Sequence, residues 1–208
     1  MSAVLDVLFP SSCVVCEKPP QLVCSGCLPT VSPGKEHLNG YQLTYALPLE
    51  RDQERLISGL KDRMKLALAS EFAQYLDLAL EHSQQTAPYL LYPPSSRDNF
   101  AKRGYNPIEV ICSRSKHLQG LSRVKAKAKR TLFDQRGLSA VERKANLADA
   151  FELSSGSGRV LIVDDVVTTG STVLALAAAA EQAGFEVAGI CAIARRNANS
   201  APRQIKKA

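Results

Sequence analysis

The run VLIVDDVVTTGST at residues 160–172 constrains this chain more than any other stretch. Residues 160–163 are four consecutive apolar positions and predict a buried strand. Asp164 and Asp165 stand at its carboxyl end, and a turn rich in hydroxyls follows, with Gly170 inside it. The alanine-rich segment 173–183 then predicts a helix. A strand that enters a helix through such a turn points backbone N–H groups and the positive end of the helix dipole at an anion. Thr168, Thr169, Ser171 and Thr172 add hydroxyl donors, and Gly170 lets the backbone come close to a phosphate. The two carboxylates are placed to accept hydrogen bonds from ribose hydroxyls and would lie near any magnesium that the ligand carries. Together these parts predict a pocket for a sugar phosphate. The plainer alternative is a strand of any open α/β sheet with threonines capping a helix, but a cap needs only one such side chain.

A second pattern lies near the amino terminus. Cys13 and Cys16 form one C-x-x-C knuckle, and Cys24 and Cys27 form another. Each knuckle brings two thiolates to one metal from a tight turn, and two knuckles complete a tetrahedral set of four sulfurs. A segment of this size has too little apolar surface to fold alone, so a structural zinc ion is expected to contribute folding energy. With four sulfurs bound, no position stays open for catalysis. Disulfide pairing is the competing reading, disfavoured in a reducing cytoplasm, and a redox C-x-x-C does not require two copies. Cys112 and Cys191 stand alone in apolar surroundings and are expected in the core.

The chain has 208 residues, 45% of them hydrophobic, enough for one ordinary domain with a small appendage. No stretch approaches the length of a membrane span. The amino terminus has apolar residues but no basic region and no small-residue cleavage site, which predicts a cytoplasmic protein without membrane insertion. Residues 29–40 carry Pro, Gly, Ser and Asn and look like a link, dividing a zinc module and linker at 1–40 from a main domain at 41–208. Residues 41–49 alternate loosely, as in an edge hairpin. Residues 56–80 carry helix-spaced apolar positions, interrupted by the charged turn Lys61, Asp62 and Arg63. Strands are further expected at 89–92, 160–163 and 187–193, with a polar and basic stretch at 95–105 and a helix over 108–118. Strands alternating with helices predict an α/β fold, a parallel sheet flanked by helices. Ligands of such sheets bind beyond the carboxyl ends of the strands, where the 164–172 turn lies.

Residues 122–144 hold eight basic side chains, among them Lys125, Lys127, Lys129, Arg130 and Arg143, against Asp134 and Glu142. That excess equals the net charge of +6 of the whole chain, so the remainder is close to neutral. A second basic cluster falls in residues 195–208. Charge runs are usually solvated loops and tails. Here Thr131, Gln135, Ser139 and Asn146 are interleaved with the charges, a composition that suits a binding loop. A flexible lid over 122–148 would neutralise a polyphosphate and exclude water, and a nucleic-acid backbone would fit the same charges. Composition does not separate the two.

The 164–172 pattern resembles the phosphoribosyl pyrophosphate (PRPP) signature of type I phosphoribosyltransferases. With the paired knuckles, RGYN at residues 103–106 and the long run RTLFDQRGLSAVERKAN at 130–146, the chain resembles the ComF family of competence-associated proteins. That family joins a small Cys₄ zinc module to a type I phosphoribosyltransferase domain. The resemblance implies a PRPP site made of Asp164, Asp165, Val166, Val167, Thr168, Thr169, Gly170, Ser171 and Thr172. In it the acids bind the ribose diol and residues 168–172 bind the 5′-phosphate. It also implies that Lys61 touches pyrophosphate, that the lid includes Lys129, Arg130 and Arg143, and that magnesium accompanies PRPP. One departure stands out. The family continues its first loop as Lys-Tyr with a glycine shortly after, whereas Lys61 is followed here by Asp62, Arg63 and Met64, an acid where pyrophosphate approaches. Two functions follow from the resemblance. One is transfer of a phosphoribosyl group to an acceptor with release of pyrophosphate, in which Asp164 or Asp165 assists a weak nucleophile. The other is PRPP binding without turnover by a protein that meets single-stranded DNA and competence or recombination proteins during DNA uptake.

Overall fold

The apolar runs of the sequence pair with one another at the centre of a sheet. The protein is seen in a computed structural model that describes residues 12–49, 51–62, 66–129 and 150–196, with backbone alone at 51–53 and 60–62. After a 3₁₀ turn at Ser25–Cys27 come β1 (Gly34–Leu38), β2 (Tyr41–Pro48), α1 (Arg51–Asp62), α2 (Leu68–Ser83) and β3 (Tyr89–Leu91). They are followed by α3 (Arg97–Arg103), α4 (Pro107–Cys112), β4 (Ser122–Arg123), β5 (Ala126–Ala128) and β6 (Phe151–Leu153). The chain then forms β7 (Gly158–Val167), α5 (Ser171–Gln182) and β8 (Phe185–Arg195). Six strands form one sheet in the order β1-β2-β8-β7-β3-β4. All neighbours are parallel except the edge hairpin β1–β2. The mostly parallel, helix-flanked sheet expected from the sequence is therefore present.

Burial on both faces explains why β7 and β8 are nearly continuous apolar runs. On one face Leu161, Val163 and Ile193 pack with Leu68, Phe72 and Leu76 of α2 and with Ile108 and Ile111 of α4. On the other, Val160, Ile162 and Ile190 pack with Val173, Leu176 and Ala180 of α5. Four buried alanines, Ala175, Ala177, Ala179 and Ala180, let α5 lie close on the sheet. No helix among the described residues is long and apolar enough to cross a membrane.

Several local expectations change. The strand at 160–163 extends to Val167, so Asp164 and Asp165 lie within it and the turn begins at Thr168. Pairing with β8 as far as Arg195 holds those acids in extended geometry. Residues 34–38, expected in the link, form β1, and the turn at Asn39 and Gly40 (φ 49° and 91°) returns the chain into β2. The edge hairpin expected at 41–49 is made by β1 and β2 together, and β8 pairs with the other side of β2. Lys61 and Asp62, expected in a charged turn, lie in the last turn of α1, and Arg63 is outside the described residues. The helix expected over 108–118 ends at Cys112. The stretch at 95–105 contains α3, which Ser96 caps by accepting a hydrogen bond from the Asn99 N–H and which Gly104 ends at φ 73°.

The first residues of the expected lid are strands. β4 pairs with β3 at the sheet edge, and β5 pairs antiparallel with β6 in a two-stranded ribbon. Arg130, Thr131, Gln135, Arg143 and Asn146 lie outside the described residues.

Ile162 is fully buried at the centre of the sheet. Ile162→Ala is expected to cost about 2–5 kcal/mol, the usual range for a large-to-small core change, read as a lower midpoint in urea unfolding.

Candidate functional site

The carboxyl end of β7 and the start of α5 enclose a concavity whose wall is made of Asp164 and residues 166–173. Successive strand residues project to opposite faces, and Asp165 is not part of that wall. Both acids are buried, each 9% exposed, and Asp164 Oδ1 accepts the Asp165 N–H at 2.9 Å. Gly170 is the N-cap of α5 and has φ 85°. A Cβ there would stand 2.5 Å from Leu38 Cδ2, so the loop rests on β1 in a conformation and a space that only glycine fits. The Thr169 and Ser171 hydroxyls lie 2.8 Å apart, and the Ser171 N–H donates to Thr169 Oγ1 at 3.3 Å. No acceptor among the described residues takes the backbone N–H of Thr168, Thr169 or Gly170. Exposed hydroxyls, amides without an acceptor among the described residues and the positive end of a twelve-residue helix are groups from which an anion can accept hydrogen bonds.

Behind the loop stands a residue that sequence reasoning counted with the basic tail. Arg195 ends β8 and is 8% exposed. Its Nε donates to Glu36 Oε1 at 2.7 Å, and its Nη1 donates to the Val167 carbonyl at 3.2 Å and to the Thr168 carbonyl. Glu36 and Leu38 come from β1, the segment expected to be linker. The only signal for Arg195 was its place at the end of an apolar run, where an arginine closes a strand as readily as it begins a tail. Its neighbour Arg196 donates its N–H to the Val167 carbonyl at 3.0 Å and its guanidinium to Glu54 of α1. Lys61 lies in the last turn of that same helix.

The strands beyond β7 bring a second group to the same edge of the sheet. Arg123 of β4 stacks 4.1 Å over the Tyr92 ring and pairs with Glu109 of α4. Asn106 is buried and donates to the Pro93 carbonyl at 2.9 Å, fixing the turn after β3. Burial pushes the Tyr92 phenol and the Cys112 thiol up, so both stay protonated. Lys125, Lys127 and Lys129 are exposed along β5 and its flanks, alternating with Val124 and Ala126, which pack on the core.

The four knuckle cysteines come together. The sulfurs of Cys13, Cys16, Cys24 and Cys27 all lie within 4.8 Å of one another, and none of the chain's cysteines is bridged. Thiolates around zinc at Zn–S ≈ 2.3 Å stand about 3.8 Å apart in a tetrahedron, and the Cys16 and Cys24 sulfurs are 3.7 Å apart. A metal-sized cluster of four thiols is the result. Burial opposes ionisation of Cys13, but hydrogen bonds from the Cys16, Cys24 and Val15 backbone outweigh it and bring the thiol down to about 6. Cys27 is pushed up to about 12, first by its hydrogen bond with Cys24. The module is seated on the main domain. Val14 packs against Gly59 of α1, where a Cβ would meet it at 3.2 Å, and Arg55 donates to the Val15 carbonyl at 3.0 Å. Cys112 and Cys191 are buried in the core, as expected.

The sheet, its carboxyl-edge loop and the helix behind it define a phosphoribosyltransferase domain, and a family model of that description, phosphoribosyl transferase domain, matches residues 117–207. The chain is 31% identical over 153 residues to competence protein F of Haemophilus influenzae, covering 67% of this chain and 66% of that protein. It is 33% identical over 166 residues to DNA utilization protein YhgH of Escherichia coli K12, covering 75% and 70%. The chain belongs to the ComF family. Among solved structures, adenine phosphoribosyltransferase from Thermoanaerobacter pseudethanolicus shows 19% identity and a TM-score of 0.37, over 65% of this chain and 83% of that one.

Gly170→Ala is expected to destabilise the protein by about 1–3 kcal/mol, since it forces a side chain into a left-handed conformation against Leu38. A guanidinium unfolding curve with an unchanged midpoint would contradict that account.

Proposed function

We propose that this protein binds PRPP at the loop after β7 and transfers its phosphoribosyl group to an acceptor, with release of pyrophosphate, in a process tied to competence and DNA uptake. The observation that carries this reading is the unclaimed N–H set of Thr168, Thr169 and Gly170, beside a cavity wall that contains Asp164. In this reading the amides and the hydroxyls of Thr168, Thr169, Ser171 and Thr172 hold the 5′-phosphate, while Val166 and Val167 line the approach. Asp164 and Asp165 accept hydrogen bonds from the ribose hydroxyls. Carboxylates and pyrophosphate oxygens are hard donors suited to magnesium, which would offset the charge on the pyrophosphate. Lys61 and the basic side chains Lys129, Arg130 and Arg143 add positive charge around the same group.

The reaction breaks the bond from ribose C1 to pyrophosphate, and the electron pair leaves with pyrophosphate. The acceptor's lone pair forms the new bond to C1, and its proton passes to solvent or to a nearby carboxylate, Asp164 or Asp165. Fixed donors around the departing pyrophosphate stabilise the charge that develops there. The cysteine cluster holds zinc in a structural role, closed by four sulfurs.

A second reading draws on the row of Lys125, Lys127 and Lys129. Residues two apart in a strand share a face about 7 Å from one another, a spacing suited to successive phosphates of an extended single strand. The protein would then bind PRPP without turnover and engage single-stranded DNA through the ribbon. Binding of this kind weakens steeply as salt rises.

Calorimetric titration of PRPP with magnesium into the metal-loaded protein separates these possibilities from a site that binds nothing. The Asp164→Asn, Asp165→Asn double variant is expected to lose about a hundredfold or more in affinity. Equal binding by parent and variant would remove the acids from the site. Metal analysis is expected to return zinc, and chelation to lower Tm by about 5–10 °C. A Tm indifferent to chelator would end the structural role of the metal.

A further inference from the structure

We propose that Arg195 is the positioning residue of the loop at 168–171, holding its amides ready for the phosphate of a sugar phosphate; this rests on the functional reading above. A guanidinium buried to 8% exposure must have its charge and donors satisfied. Arg195 spends only one donor on a carboxylate, Glu36, which is itself about one-third exposed at 32%. Its Nη1 donates to the carbonyls of Val167 and Thr168, the two residues that lead into the loop. Arg195 therefore keeps much of its positive character while facing the backbone of the anion site.

The direction of those carbonyls matters. Across a trans peptide the C=O of one residue and the N–H of the next point opposite ways. Holding the Val167 and Thr168 carbonyls on the guanidinium turns the N–H groups of Thr168 and Thr169 away from it, and these are two of the amides without an acceptor among the described residues. The loop is thus polarised, with carbonyls drawn to a buried cation and amides left for a ligand. Without the Arg195 side chain the Thr168 carbonyl loses its anchor, and that peptide could turn over and present its oxygen where an anion must sit. The Arg196 N–H reinforces the arrangement at the Val167 carbonyl. The alternative is that Arg195 merely ties β8 to β1 through Glu36. The two roles differ in how affinity and stability respond to the Glu36 charge.

The experiment titrates PRPP with magnesium, and separately inorganic phosphate, into the parent, Arg195→Gln, Arg195→Lys and Glu36→Gln. Calorimetry reads affinity, amide NMR shifts of the loop locate the ligand, and thermal unfolding runs alongside. Arg195→Gln is expected to weaken both ligands by about tenfold or more, through lost charge and lost carbonyl anchoring. Arg195→Lys is expected to recover part of that loss. Glu36→Gln keeps an acceptor for Nε but removes the countercharge, so it is expected to lower Tm while binding both ligands at least as tightly as the parent. Affinity that follows Tm across the series, or Arg195→Gln binding as tightly as the parent, overturns the positioning role and leaves the PRPP reading intact. Phosphate binding that depends on Arg195, in a parent that ignores PRPP, overturns the PRPP reading and keeps the positioning role. A parent that binds neither ligand overturns both. Should Arg195→Gln not fold, Arg195→Lys and Glu36→Gln decide the matter by the same comparison.

Discussion

The parallel pairing of β7 with β8 is the interaction on which the rest of the molecule depends. It runs from Gly158 opposite Phe185 to Val167 opposite Arg195, with one irregularity between Val160 and Leu161. Both strands are buried on both faces, so a slip of one residue would exchange the side chains that meet α2 and α4 with those that meet α5. That requirement fixes the register, and the register places Arg195 beside the last residue before the loop. Core packing and site geometry are therefore one constraint. Changes deep in the sheet, far from any ligand, alter the site by altering where β7 ends.

α1 connects this edge of the sheet to the cysteine cluster. Near its start, Glu54 takes the Arg196 guanidinium, and along its length Arg55 and Gly59 receive Val15 and Val14 of the first knuckle. Its last turn contains Lys61. Cys13, Val14 and Val15 belong to the same buried cluster as Leu56, Ile57 and Leu68. The cysteine module thus packs against α1, the same helix that receives Arg196 at the carboxyl edge of the sheet.

Much of the fold was legible because burial on two faces writes itself as uninterrupted apolar residues. Residues 160–163 and 187–193 showed strands, and the alanines after Thr172 showed a helix. The ends of these elements were harder to see. Asp164 and Asp165 look like the end of a strand, yet pairing with Ala192 and its neighbours carries the backbone on to Val167. The edge strand at 34–38 mixes Lys35, Glu36 and His37 with a glycine, and an edge needs no apolar alternation to pair on one side. The cysteine cluster was legible from spacing alone, because C-x-x-C is a local geometry. The hydroxyl loop was legible for the same reason. Arg195, Glu36 and Leu38 were not, because what they contribute depends on strands distant in sequence lying side by side.

The outer strand β1 has a further consequence for how the protein behaves among its own copies. An exposed strand edge offers a row of unpaired backbone groups to any other strand that meets it. β1 is only five residues long, and its exposed positions are Lys35 and His37. Shortness and charge make it a poor template for another chain, and among the described residues the sheet ends at this edge. The same five residues set Leu38 against Gly170 and Glu36 against Arg195, beside the 168–171 loop. A more apolar or longer β1 would invite strand addition there, and an arriving strand would press on the backbone that steadies Gly170 and Arg195. Protection against aggregation and support of the site are thus vested in one short segment.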